Sequence, residues 1–112
     1  MYVRKRPGAD EIIQRLADKY ELVIFTASLR SYGNPLIDLY DPKGYVTHRL
    51  YREHCSVIAR NYVKDLRKLG RDLNKVIIVD NSPISYYLQP ENAIPISSWM
   101  GNPEDLELYK LT

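Results

Sequence analysis

The fold is decided by two apolar runs that end in polar residues, Leu22-Val23-Ile24-Phe25-Thr26-Ala27-Ser28 and Val76-Ile77-Ile78-Val79-Asp80-Asn81-Ser82-Pro83. Neither run alternates apolar with polar side chains before its polar end. That pattern is typical of a strand buried on both faces between helices. Because ligands of such sheets bind at the carboxyl ends of the strands, the polar residues after each run are the first candidates for a functional site.

Helical patterns surround the first run. Pro7 suits a first helical turn, and the apolar spacing that follows predicts a helix over about residues 8–19. A second helix is predicted from Tyr32 to Tyr40, ended by Asp41-Pro42-Lys43-Gly44. From residue 45 to about residue 63, aromatic and β-branched residues predict a hairpin or small accessory sheet.

The remaining segments complete an alternation of helices and strands. We expect a short helix around Asp65–Leu69, a third strand at Ala93–Ile96, and a terminal helix that starts at residues 102–105. Alternation of this kind predicts an α/β fold with a mostly parallel sheet and helices on both faces. We find no linker or repeat, so a single domain over residues 1–112 is predicted.

Composition excludes several classes of protein. No apolar stretch approaches the roughly 20 residues that span a bilayer, so no membrane span is expected. The formal net charge of +2 is too small to predict direct nucleic-acid binding. The one cysteine, Cys55, cannot form an internal disulfide, which indicates a reducing compartment or a fold that is indifferent to redox state.

The candidate site residues each allow two interpretations. Thr26 and Ser28 offer hydroxyl and backbone N–H groups to phosphate oxygens, or they cap the next helix. Asp80 and Asn81 provide the oxygen ligands that Mg²⁺ prefers, or they form a turn. Lys64 either places a charge against a phosphate or is an ordinary solvated lysine.

Five motifs stand together in one order: Phe25–Ser28, Tyr51–Cys55, Val63–Leu66, Asp80–Pro83 and Pro90–Ala93. With them the chain resembles the NLI-interacting-factor-like phosphatases, the small phosphatases of the RNA polymerase II C-terminal domain, within the haloacid-dehalogenase-like superfamily. The resemblance covers nearly the whole chain. It implies a haloacid-dehalogenase-like Rossmannoid α/β fold with a small accessory β-hairpin.

The resemblance also implies roles for single residues. Thr26 matches the position that binds the transferring phosphoryl group, and Lys64 the position that neutralises its charge. Asn81 matches a Mg²⁺ ligand, and Asp80 matches the residue that supports the metal site. The positions that contact the substrate peptide in some members are matched by Leu29, Tyr32 and Arg52.

The activity implied is that of a Mg²⁺-dependent protein serine/threonine phosphatase that forms a phospho-aspartate intermediate. Its partner would be a phosphoprotein substrate, such as the RNA polymerase II C-terminal domain. A protein with that activity and substrate is expected in the nucleus or the cytoplasm. The family's first motif, Asp-x-Asp-x-Thr, would stand upstream of Lys5-Arg6-Pro7, and the 112 residues contain no Asp-x-Asp pair.

We therefore expect an N-terminally incomplete domain that is inactive alone and lacks the central strand of the family's sheet. Main-chain groups left unpaired in a buried place are costly, so something should close the gap. An upstream segment, a second copy of the chain by self-association or strand exchange, or direct pairing of the two apolar runs would do so.

A non-catalytic alternative stays open. The mitochondrial presequence-receptor subunit of the inner-membrane translocase shares stretches like Lys5–Asp10 and Gln89–Pro95, and it works by binding. A phosphopeptide-binding regulator is a second possibility of this kind. The residues at the strand ends, Thr26-Ala27-Ser28 and Asp80-Asn81-Ser82-Pro83, favour the phosphatase branch.

Overall fold

The fold, obtained as a computed structural model, is mixed α/β and is described for residues 4–111. Its helices are α1 (Ala9–Ala17) and α2 (Arg30–Tyr40). Its strands are β1 (Val23–Phe25), β2 (His48–Leu50), β3 (Ser56–Ile58), β4 (Asn61–Val63), β5 (Ile78–Asp80) and β6 (Ala93–Pro95). These elements form two compact units, residues 4–51 with 99–111, and residues 52–98.

Helix α1 of the first unit confirms the predicted helix. It follows Gly8, whose φ of +89° is a conformation that glycine adopts without strain. The ring of Tyr109 lies so close to Gly8 that an added Cβ would be 3.1 Å from it. Arg6 Nε lies 2.6 Å from Asp105 Oδ2, so an ion pair ties the segment before α1 to the C-terminal segment of this unit.

The other elements of the first unit form a strand–helix–strand arrangement. Strand β1 pairs with β2 in parallel, with Ile24 opposite Arg49, and α2 lies between them in the chain. Helix α2 confirms the second predicted helix. It ends where the buried carboxylate of Asp41 accepts the N–H groups of Tyr45 and Val46 at 2.9 and 2.8 Å.

The second unit contains a hairpin and a parallel pair. Strands β3 and β4 are antiparallel and joined by Ala59 and Arg60, which have φ values of 49° and 67°. Two successive residues of positive φ are typical of the tight turn that suits a twisted hairpin. Strand β5 pairs with β6 in parallel, with Ile78 opposite Ala93, so the predicted third strand is confirmed.

Some predictions about these segments were wrong. Residues 48–50 belong to a parallel pair with β1 and not to the hairpin, which begins at Ser56. By contrast, the short helix predicted around Asp65–Leu69 is confirmed, as a 3-10 helix over Leu66–Leu69. No α-helix starts at residues 102–105 in the described chain, because the Asn102 carbonyl accepts the Trp99 indole N–H and the Asp105 N–H in a turn.

The two apolar runs were also predicted to be buried on both faces, and they are not. Val79 is 40% exposed and Ile77 59%, and Val23 is 36% exposed. Within residues 4–111 every sheet has two strands, so none of the strands is central in a larger sheet. Two of the three pairs are parallel. In the same residues no helix has the length and apolar character needed to cross a membrane.

Gly33 in α2 gives a test of this packing. An added Cβ would lie 3.1 Å from the ring of Tyr51, which is 1% exposed and whose hydroxyl donates to Asn34 Oδ1 at 2.7 Å. Because that ring is held in place, Gly33→Ala should lower the free energy of unfolding by about 1 kcal/mol, as overpacking does. Urea unfolding measures the change. The control is Ser31→Ala, at an exposed position of the same helix, which should raise the free energy of unfolding by a few tenths of a kcal/mol. A higher free energy of unfolding for Gly33→Ala would show that the Tyr51 ring moves to make room.

Candidate functional site

Thr26 follows β1 directly, in the first unit. Its N–H donates to the Leu50 carbonyl at 2.9 Å, and its Oγ1 accepts the N–H of Ser28 at 3.1 Å. The side chain thus shapes the turn between β1 and α2. The N-cap of α2 is Leu29, and no side chain caps it by a hydrogen bond, so the interpretation of Thr26 and Ser28 as helix caps was wrong.

The residues matched to peptide contacts have different surroundings. Leu29 and Tyr32 lie at the start of α2 in the first unit and are 54% and 57% exposed. Large apolar side chains with this exposure are available to a partner. Arg52 belongs to the second unit, where its guanidinium lies over the ring of Tyr62 at 4.9 Å from the centroid.

An ion pair joins two strand ends of the second unit. Lys64 comes directly after β4 and Asp80 is the last residue of β5. The Lys64 ammonium donates to Asp80 Oδ2 at 2.5 Å, and each residue is only 9% exposed. The interpretation of Lys64 as a solvated lysine was therefore wrong. A buried ammonium at the end of a strand is a strong local charge.

The residues after β5 form a turn. The second carboxylate oxygen of Asp80 accepts the N–H of Ser82 at 2.9 Å, which is the turn chemistry that the sequence allowed. Asn81 is exposed, and its side-chain amide donates to Ser98 Oγ at 2.8 Å. This hydrogen bond holds the side-chain amide of Asn81 and so also sets the direction of its carbonyl oxygen.

Whether these residues fit a magnesium ion can be judged from their chemistry. Mg²⁺ requires six oxygen ligands in near-ideal octahedral geometry. Asp80 and Asn81 are the adjacent donors here, and both oxygens of Asp80 already accept hydrogen bonds from Lys64 and Ser82. Across residues 4–111 no three His, Cys, Asp or Glu side chains come together in a metal-binding group. The described residues alone do not fit a complete Mg²⁺ site.

A buried network beside Lys64 was missed by the sequence analysis. Asp65 and Gln89 are 5% and 4% exposed, and Gln89 Nε2 donates to Asp65 Oδ1 at 3.0 Å. Arg67 donates to both oxygens of Asp65 through its guanidinium. That guanidinium, helped by the Gln89 amide, holds the pKa of Asp65 well below its usual range. Asp65 also accepts the Arg67 N–H, a turn-capping pattern that the sequence did offer as a signal.

Comparison with known proteins identifies the class. The whole chain, residues 1–112, matches the model of the NLI interacting factor-like phosphatase family, and the protein belongs to that family. It is 51% identical over 111 residues to the human carboxy-terminal domain RNA polymerase II polypeptide A small phosphatase 1, and 53% identical over 111 residues to the human CTD small phosphatase-like protein. It is 50% identical to phosphatase Herzog of Drosophila melanogaster, again over 111 residues.

Coverage differs between the two sides of these alignments. The matched residues make up 99% of this chain in each case. They make up 42% and 40% of the two human proteins and 32% of the Drosophila protein. The chain thus spans less than half the length of these relatives.

The Asp65 carboxylate gives a prediction of pH dependence. Its pKa is lower in the folded state than in the unfolded state, so its contribution to stability is complete above the unfolded value of about 4 and is lost as pH falls through the folded value. Asp65→Asn should therefore reduce the free energy of unfolding at pH 7 by about 1–3 kcal/mol, the scale of a hydrogen bond to a charged group. The difference from the unmodified chain should shrink as pH falls below about 4.

Urea unfolding at a series of pH values measures this difference. Asp72→Asn is the matched control, because exposed Asp72 also accepts an N–H two residues on, from Asn74, at the start of a 3-10 turn. At pH 7, Asp72→Asn should lower the free energy of unfolding by less than Asp65→Asn does. Equal costs for the two variants would show that burial and the Gln89 contact add nothing at Asp65.

Proposed function

We propose that this chain carries the phosphate-recognising residues of a protein serine/threonine phosphatase domain of the haloacid-dehalogenase-like class. The observation that carries the proposal is the buried Lys64 ammonium at the end of β4, beside Asp80, in a member of a phosphatase family. A lysine at such a place can neutralise charge on a phosphoryl group. The role of Thr26, in the first unit, as a residue that binds the transferring phosphoryl group is part of the same proposal.

The chemistry that we propose for the full reaction is nucleophilic. An aspartate carboxylate attacks phosphorus, the serine or threonine oxygen leaves and takes up a proton, and water then hydrolyses the acyl phosphate. Lys64 would stabilise the negative charge on the phosphoryl oxygens. With no Asp-x-Asp pair among the 112 residues, this chain holds no candidate pair for the nucleophile and its neighbouring acid.

Mg²⁺ belongs to this proposal as a charge-neutralising ion with Asn81 as one of its oxygen ligands and Asp80 in support. Further ligands would have to come from groups that the described residues do not bring together. For substrate we propose a phosphoserine or phosphothreonine protein, since one relative carries the carboxy-terminal domain of RNA polymerase II in its name. Leu29, Tyr32 and Arg52 are our candidates for contacts to that protein, and a nuclear or cytoplasmic site of action goes with it.

The single domain over residues 1–112 remains a prediction, as does self-association or strand exchange. A phosphopeptide-binding role without turnover is the second candidate function. It is favoured by one observation, a buried Lys64 in a chain without the Asp-x-Asp pair. The names of the matched relatives support the phosphatase branch over the presequence receptor.

The first functional prediction is that the purified 112-residue chain does not hydrolyse p-nitrophenyl phosphate in the presence of Mg²⁺. Lys64 would supply a positive charge and Asn81 a metal ligand, but neither side chain is the nucleophile that attacks phosphorus. Release of p-nitrophenol by the chain and by Lys64→Ala, assayed side by side, separates true turnover from a contaminant. Mg²⁺-dependent turnover that disappears in Lys64→Ala would contradict the prediction.

The second functional prediction is that the chain binds inorganic phosphate weakly and that Lys64→Ala weakens binding by about 1–3 kcal/mol, the usual value of a hydrogen bond to a charged group. Amide NMR titration measures both affinities, and added salt should compete. The exposed Lys75 of the same unit provides the control, Lys75→Ala, which should bind as the unmodified chain does. Equal affinity of Lys64→Ala would remove Lys64 from the phosphate site.

A further inference from the structure

Gln89 is an uncharged side chain that is almost completely buried and connects two segments of the second unit. It is 4% exposed. Its Oε1 accepts the N–H of Leu66 at 3.0 Å, and its Nε2 donates to Asp65 Oδ1 at 3.0 Å. One amide thus satisfies a buried backbone donor and a buried carboxylate at once, both within two residues of Lys64. Polar groups of this kind are seldom buried without a partner.

The backbone at Lys64 is held from the same side. The N–H of Lys64 donates to the Ser85 carbonyl at 2.8 Å. The three consecutive residues Lys64, Asp65 and Leu66 are therefore each hydrogen-bonded to the segment from Ser85 to Gln89. This attachment sets where the Lys64 side chain starts and in which direction it leaves the backbone.

The segment that carries Gln89 begins at Asp80, the ion-pair partner of Lys64. Asp80 accepts the N–H of Ser82 at 2.9 Å, and the Ser82 carbonyl accepts the N–H of Ser85 at 3.0 Å. A further turn bond joins the Gln89 N–H to the Tyr86 carbonyl at 3.1 Å. The chain from Asp80 to Gln89 is thus a series of short turns that holds the carboxylate partner of Lys64 at one end and Gln89 at the other.

We propose that Gln89 is a positioning residue that directs the Lys64 ammonium to the end of β5. A lysine side chain has a long flexible stem, so a fixed ammonium needs a fixed backbone and a fixed partner. Gln89 fixes the backbone next to Lys64 through its two hydrogen bonds. The turns from Asp80 to Gln89 connect this amide to Asp80, the fixed partner of the ammonium. The consequence for phosphate rests on the proposed function; the consequence for the Lys64–Asp80 hydrogen bond does not.

The test follows the Lys64 ammonium directly in the 112-residue chain, by NMR of ¹⁵N-labelled lysine side chains without phosphate. The buried, ion-paired Lys64 should give a slowly exchanging ammonium signal that is absent from Lys64→Ala. Gln89→Met keeps the size of the side chain and removes both hydrogen bonds, and it should abolish the signal. Gln89→Glu keeps the acceptor for Leu66 but faces Asp65 with a carboxylate, and it should weaken the signal.

The control is Asn92→Ala. Asn92 is half-buried in the same unit, and its side-chain amide donates to the carbonyls of Leu73 and Val76 at 2.6 and 2.9 Å. Its loss should lower the melting temperature as the Gln89 variants do and leave the Lys64 ammonium signal in place. A merely structural role for Gln89 would make all three variants alike.

Phosphate titration of the same proteins separates the two proposals. Gln89→Met should weaken phosphate binding about tenfold, taking as a guide the lower end of what loss of an orienting partner costs a metal-binding side chain. If Lys64→Ala binds phosphate as the unmodified chain does, the proposed function fails, and the ammonium signal still decides the role of Gln89. A Lys64 signal that persists in folded Gln89→Met, or that is missing from the unmodified chain, would overturn the positioning role. Should Gln89→Met not fold, the signal in Gln89→Glu decides, and a full signal there overturns the proposal.

Discussion

The second unit depends on the ion pair between Lys64 and Asp80. Removing two charges from water is expensive, and it is offset only when the pair is close and its remaining hydrogen-bonding groups are satisfied. The contact is 2.5 Å here, and the second Asp80 oxygen accepts the hydrogen bond of the Ser82 N–H. Because the two residues stand at the ends of β4 and β5, the pair also fixes where a hairpin strand ends relative to a parallel strand. The site is therefore defined by electrostatics between strand ends.

The helices could be predicted from sequence because their signals are local. The apolar spacing and Pro7 placed α1 within a residue or two of its observed bounds, and Asp41-Pro42-Lys43-Gly44 marked the end of α2. The partner of β1 could not be predicted this way. Residues 45–51 carry the composition of any strand, and nothing local distinguishes a parallel partner of β1 from the first arm of a hairpin. Strand pairing is set by tertiary contacts that a short window of sequence does not contain.

The site was predicted unevenly for a related reason. Lys64 and Asp80 stand out because charged residues next to apolar runs are conspicuous, and the structure brings the two side chains together in an ion pair. Gln89 gave no such signal, since an amide in a turn-rich stretch is ordinary and its burial arises from packing. The prediction of a terminal helix failed because the capping pattern at Asn102 forms a turn that Trp99 closes.

The hairpin turn has a consequence for the order of folding. Ala59 and Arg60 both occupy the left-handed region, which costs an L-residue roughly 1–2 kcal/mol and which asparagine or glycine would adopt more easily. A turn of this composition is a poor nucleus, so we expect β3 and β4 not to assemble from their tip. Burial of Val63, which is 2% exposed and directly precedes Lys64, is then the interaction that we expect to drive their closure. We therefore expect the hairpin to be a late element of folding, so that the lysine becomes fixed only when Val63 is packed.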